Sequence, residues 1–159
     1  MSQALPANLS AVREAHRFDE AALAAYMKDH VEGFAPPLVV VGVKTDSGAY
    51  ALVKNTKTFA LNMLGKDQKG LAFTFFKPAQ LADGKISGQA FRKGANGAPI
   101  LDAASAAVEC KVTAIIEQGD HHIVAGEVTE AHLAKPPAGR PDAAILEMKD
   151  LGDNVFYGG

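Results

Sequence analysis

The 159-residue chain has a single cysteine, Cys110, so no intramolecular disulfide framework can staple it. It also lacks a basic excess, since 16 Lys plus Arg stand against 18 Asp plus Glu, for a formal net charge of -2. Without surplus cations to neutralise a run of phosphates, nucleic acid is not an expected partner, and the charge gives no pointer to an anionic membrane surface. Long apolar runs are missing too. Stretches such as Pro36-Pro37-Leu38-Val39-Val40-Val41-Gly42-Val43 fall far short of the roughly 18 residues that suggest a bilayer span. The opening residues MSQALPANLS carry neither the basic start nor the apolar core of a secretory signal, so a soluble, cytoplasmic setting is expected. Neither GKDQKG nor GVKTDSG has the spacing of a phosphate-cradling P-loop, and no GxGxxG follows a strand pattern, which argues against the common nucleotide folds. The histidines, His16, His30, His121, His122 and His132, form no HExxH or carboxylate cluster at metal spacing, so no metal is expected.

What is there reads as one globular domain, 48% apolar and 21% charged. A chain of this length buries roughly two-thirds of the surface that its unfolded form exposes. Arg17 to Gly33 is expected to be a helix, with Asp19 as N-cap, Phe18 and Leu23 as a staple and Gly33 as its end. Leu23, Tyr26, Met27, His30 and Val31 share one face of it. Pro36-Pro37 breaks the helix, and the β-branched run Leu38 to Val43 predicts a strand buried on both faces. Ser47 or Gly48 to Asn55 predicts a short helix, Thr58 to Leu64 a strand, and QKGLAFTFF a second helix capped by Asp67 and stopped by Lys77-Pro78.

The second half is β-rich. Asp83-Gly84 and Asn96-Gly97 are turn dipeptides, with a short alternating piece, Ile86 to Phe91, between them. Ala106 to Gln118 predicts a half-buried strand with Cys110, Val112, Ala114 and Ile116 on the apolar face, and Glu109, Lys111, Thr113 and Glu117 on the polar one. Gln118-Gly119-Asp120 turns into His122, Val124, Gly126 and Val128, which line one face of the returning strand. Lys135 to Pro141 is expected to be an exposed loop, and Ala143 to Met148 a last apolar segment. Five or more strands with a few short helices predict an antiparallel barrel.

The residue chemistry leaves alternatives open. His121 and His122 sit at a hairpin turn, where an imidazole can reach a ligand, or where one ring is solvated and the other packed. Cys110, on an apolar face, reads as a buried inert thiol. Phe73, Phe75 and Phe76 read as core, with Phe76 beside Lys77 also able to meet a cofactor. Lys44 and Ser47 flank a strand-to-helix turn that either binds an anion or is a solvated loop with Ser47 as N-cap.

From Pro36 onward the order PPLVVVGVKTDS, KTFALNML with DQKGLAFTFFKP, AAVECKV, QGDHHIVAGEV and the terminal VFYGG resembles the flavin reductase-like family, the FMN-binding split barrels. The resemblance implies a mainly β, Greek-key split barrel over 36–159 with short helices, preceded by an N-terminal helical segment over 1–35. It implies an NAD(P)H-dependent flavin oxidoreductase, cytoplasmic and usually homodimeric, with FMN or FAD as flavin, NADH or NADPH as donor and a partner monooxygenase as one acceptor. Carried over by position, Lys44, Asp46 and Ser47 lie near the flavin, Phe76 and Lys77 near its phosphate or ring edge, and Tyr157 closes the site. The GDH histidine corresponds to His121, the catalytic position beside the flavin or nicotinamide face, and no obligatory general acid is assigned. Family members begin with two strands, whereas RFDEAALAAYMKDHVEGF reads as a helix and resembles the N-terminal helix of aminoglycoside phosphotransferase-like kinases. That difference sets out the alternative, a non-catalytic flavin-binding module or a dimeric assembly module whose helix face drives association.

Overall fold

In the computed structural model the described residues are 37–152 and 155. The expected helix over Arg17 to Gly33 and the terminal Tyr157 lie outside them. The described residues fall into two units, Pro37–Pro136 with the residues from Ile145, and Pro137–Ala144. The second carries a short helix over Pro141–Ala144 and an Arg140–Asp142 ion pair at 2.7 Å.

The first unit is built on a four-stranded antiparallel sheet. Strand β1 (Leu38–Lys44) leads through helix α1 (Gly48–Thr56) to β2 (Thr58–Met63). A 3-10 turn at Lys66–Gln68 and helix α2 (Lys69–Thr74) follow. Two small hairpins come next, β3 (Leu81–Ala82) with β4 (Lys85–Ile86), and β5 (Phe91–Lys93) with β6 (Pro99–Leu101). The long hairpin of β7 (Ala106–Ile116) and β8 (His121–Leu133) then fills the middle of the sheet, whose order is β1-β8-β7-β2. The turn dipeptides sit where expected. Asp83 and Gly84 both adopt positive φ, 51° and 70°, the pairing that a two-residue hairpin turn requires.

The core centres on Phe59, Cys110 and Val124, with Val39, Val41, Val43, Leu61, Val112, Ile115 and Val128 packed around them. Gly126 belongs to this arrangement because a Cβ there would lie 2.6 Å from the Phe59 ring. The buried Cys110 thiol has its pKa pushed up by burial, as an inert core thiol should.

Four local expectations need correction. β1 is not buried on both faces: its residues alternate, with Val39, Val41 and Val43 toward the core, while Leu38 and Val40 stay 59% and 64% exposed. An antiparallel sheet covered on one face produces that alternation, whereas an unbroken apolar run suggested cover on two. In β7 the register shifts at Glu109/Cys110 and again at Val112/Ala114. The second shift re-aims the end of the strand, so Ile115 joins the core and Ile116 is exposed, while Glu109 keeps its place on the face opposite Cys110 and is fully buried there by the β5–β6 loop instead of facing solvent. Asp67 does not cap α2: it lies inside the 3-10 turn, and the Gly65 N–H donates to Gln68 Oε1 at 2.8 Å. Finally, Phe73 and Phe76 are exposed, stacked edge to face at 5.2 Å, and do not belong to the core.

Candidate functional site

The β1–α1 turn gathers most of the expected residues. Ser47 caps α1, with its Oγ accepting the Tyr50 N–H at 3.1 Å and donating to the Lys44 carbonyl at 2.7 Å. Its hydroxyl is therefore committed to the helix start. The amides of Gly48 and Ala49, in the first turn of α1, have no carbonyl four residues earlier in the helix and point along its axis. Lys44 is exposed, with its Nζ 3.6 Å from Asp46 Oδ2. Lys44 is also the register partner of His121 across β1 and β8, so the cation and the imidazole sit side by side on one face of the sheet. The Thr45 N–H donates to the Asp120 carbonyl at 2.9 Å and ties the turn to the β7–β8 hairpin. His121 Nδ1 lies 3.2 Å from Asp120 Oδ1, and this hydrogen bond holds the Asp120 carboxyl below its ordinary pKa.

His122 points to the opposite face and meets α1. Its Nδ1 pairs with the Tyr50 hydroxyl at 2.5 Å, with the rings edge to face. Lys54 sits 5.6 Å from the centre of the Tyr50 ring and pairs with Glu117 at 2.8 Å. That bond raises the Lys54 pKa and lowers that of Glu117. Both expected histidines are thus partnered, one by an aspartate and one by a tyrosine.

Phe76 and Lys77 follow the end of α2, both exposed. A cavity of about 520 Å³ runs elsewhere, between α1, β2 and the β5–β6 loop. Leu52, Val53, Phe59, Ala98 and Pro99 give it mostly apolar walls, and Ala49, from the first turn of α1, is also in its lining. None of Lys44, Asp46, Ser47, Phe76, Lys77 or His121 lines it.

Sequence reasoning missed a buried carboxylate cluster. Glu109 is 0% exposed, and its two oxygens accept from the Ala95 N–H at 3.1 Å and the Asn96 N–H at 2.8 Å. His132 Nε2 adds a third bond at 2.8 Å. Glu130 brings a further ligand atom within 4.8 Å of those of Glu109 and His132, a spacing at which a metal could be held. The Glu109 oxygens are already engaged by their donors, so the cluster reads as an anchor for the β5–β6 loop. Glu109 was visible only as one charged residue on the polar face of its strand, and the β5–β6 loop that covers it there is distant in sequence.

The comparisons with known proteins agree with the order of these elements. The family model described as "Flavin reductase like domain" matches residues 32–147. The chain is 33% identical over 111 residues to a flavin reductase of Pseudomonas putida, covering 70% of this chain and 61% of that one. It is 38% identical over 96 residues to the reductase component of a 4-nitrophenol 4-monooxygenase/4-nitrocatechol 2-monooxygenase of Rhodococcus opacus, covering 60% of this chain and 50% of the relative. Among solved structures it resembles the NADH:FAD oxidoreductase of Streptomyces globisporus with a TM-score of 0.53 at 32% identity, over 62% of this chain and 59% of that one. The chain thus spans about half to three-fifths of these relatives. With more than half of its length matched by the family model, the chain belongs to the flavin reductase-like family.

Proposed function

We propose that the protein is a cytoplasmic, homodimeric NAD(P)H-dependent flavin oxidoreductase that binds FMN, or FAD, at the β1–α1 turn. The observation that carries this reading is the register pairing of Lys44 with His121 beside the capped start of α1. When bound, the flavin supplies the ring position that takes a hydride from the nicotinamide. The chain's own residues then have to bind, orient and exclude water. The residues at the turn fit a phosphate, because the Gly48 and Ala49 amides and the Lys44 ammonium are donors. Asp46 orients Lys44 and stays off the phosphate, since like charges repel. Ser47 acts through the helix start that it caps.

His121, held by Asp120, would present its imidazole to the flavin or nicotinamide face and position it, with no obligatory proton transfer. Phe76 and Lys77 would supply an aromatic edge and a second cation, and Tyr157 would close the site. The flavin reductase-like domain is taken as 36–159, after an N-terminal segment over 1–35. The similarity to a monooxygenase reductase component supports a partner monooxygenase as the acceptor of reduced flavin. No helix among the described residues is long and apolar enough to cross a membrane.

The test is the visible spectrum of purified protein after incubation with FMN and desalting, followed by NADH and NADPH oxidation with added flavin. Turnover above the free-flavin background that falls in Lys44→Ala and His121→Ala supports the proposal. Retained flavin without turnover would favour the alternative, a non-catalytic flavin-binding module. No binding and no turnover would overturn both.

A further inference from the structure

The residues proposed to meet the flavin stand on two segments far apart in sequence. Lys44 and the Gly48 and Ala49 amides belong to the β1–α1 turn, whereas Asp120 and His121 belong to the end of the β7–β8 hairpin. β1 pairs with β8 as far as His121, but β7 pairs with it only from Ile123 onward. The sheet therefore supports the hairpin end on its β1 side, and bonds to the β1–α1 segment decide where His121 stands.

Those bonds differ in strength. The Thr45 N–H donates to the Asp120 carbonyl at 2.9 Å and fixes the backbone one residue before His121. The Lys54–Glu117 pair is half-exposed on both sides, so solvent screens it and it holds little. Tyr50 is the buried link. It is 7% exposed, its N–H donates to the Ser47 Oγ that caps α1, and its hydroxyl pairs with His122 Nδ1 at 2.5 Å. A buried tyrosine hydroxyl usually finds a partner, and here the partner is the residue next to His121. Successive strand residues point to opposite faces, so seating the His122 ring against α1 also fixes the backbone from which His121 points to the other face.

We infer that Tyr50 and His122 are positioning residues for the reaction, their bond setting how far the His121 ring stands from the anion-binding start of α1. The inference rests on the flavin reading of the β1–α1 turn. Both residues act through His121 and the helix start, from the opposite face of the sheet. The phosphate donors Lys44, Gly48 and Ala49 all lie on the β1–α1 segment, so cutting the bond leaves them in place and lets the imidazole move. A shift on the order of 1 Å in a reacting geometry costs up to about a hundredfold in rate, so the loss falls on kcat and not on flavin affinity.

Tyr50→Phe in the full-length chain removes the hydroxyl and keeps the ring. With NADH and FMN, kcat should fall about tenfold while the FMN dissociation constant stays within about twofold. Tyr50→Phe combined with His122→Leu separates position from stability, because replacing both partners by apolar groups leaves no stranded polar atom. This double variant should melt near the wild type and still turn over about tenfold more slowly, and it decides the matter should Tyr50→Phe alone not fold. In a His121→Ala background, Tyr50→Phe should cost no more than about a further twofold, since the bond acts through that ring. With an active wild type, turnover of the double variant within about twofold of it, a loss confined to FMN affinity, or a full tenfold loss in the His121→Ala background would each overturn this inference alone. A wild type without turnover would overturn the flavin reading and this inference with it.

Discussion

Glu109 and His132 form a buried ion-pair geometry at 2.8 Å on the two long central strands, and the Glu109 carboxylate reaches past the sheet to hold the backbone of the β5–β6 loop. A fully buried carboxylate is costly unless it is hydrogen-bonded, and here two amides and an imidazole bond it. Glu109→Ala should destabilise the fold by about 3 to 5 kcal/mol, because it strands two half-buried N–H donors and the His132 ring. Glu109→Gln should also destabilise, since its amide turns a donor toward donors. Urea unfolding checks both, and a loss under about 1 kcal/mol for Glu109→Ala would mean that water replaces the carboxylate without cost.

The same pair sets an acid limb of stability. Burial alone pushes the Glu109 pKa up, but the Asn96 N–H, the His132 ring and the Ala95 N–H more than offset it and hold the group below its ordinary value. A carboxyl whose folded pKa is depressed contributes stability that is fully present above the unfolded value, about 4.3, and that is lost as pH falls through the folded value. Wild-type stability should therefore drop more steeply below about pH 4.5 than that of Glu109→Gln, by up to about 1.4 kcal/mol per pH unit. Urea midpoints measured from about pH 6 down to pH 3 give the two slopes, and parallel curves would remove Glu109 as the cause.

Two glycines are fixed by what lies over them. A Cβ on Gly126 would come within 2.7 Å of two Phe59 ring atoms and 3.0 Å of the Cys110 Cβ. A Cβ on Gly94 would fall on the Glu109 carboxylate. Each alanine substitution should cost about 1 to 3 kcal/mol through overpacking. Phe59→Leu should partly rescue Gly126→Ala and leave Gly94→Ala unrescued. Thermal melts of the double mutants measure that coupling.

Strands, turns and the inert cysteine were legible because they rest on local signals. Asn96-Gly97 shows how local they are: Asn96 Oδ1 accepts the Ala98 N–H at 2.8 Å, and Gly97 takes the positive φ of 85°. The alternation of β8 held because Val124 and Gly126 both stay buried on one face. β7 departed from the same rule through features that depend on partners distant in sequence: the shift at Val112/Ala114 moved Ile116 outward, and the β5–β6 loop buried Glu109 on the face where alternation had put it. For the site, the pairing of Lys44 with His121 follows once the hairpin register is known, yet the Tyr50–His122 bond joins residues 72 positions apart, and no spacing rule reports it.

The turn and the cavity make separable demands on a flavin, so two substitutions can place it. Lys44→Ala removes one exposed cation beside the α1 start, and should weaken FMN binding roughly five- to tenfold with little change in stability. Ala98→Phe fills the cavity between α1, β2 and the β5–β6 loop, which touches the first turn of α1 at Ala49 but is lined by none of Lys44, Asp46, Ser47 or His121. If the phosphate and the reacting ring edge are held at the turn, Ala98→Phe leaves the affinity within about twofold. Fluorescence titration of FMN against both variants and the wild type decides. Loss of binding in Ala98→Phe alone would move the flavin into the cavity, and leave Lys44 and His121 as structural residues of the hairpin end.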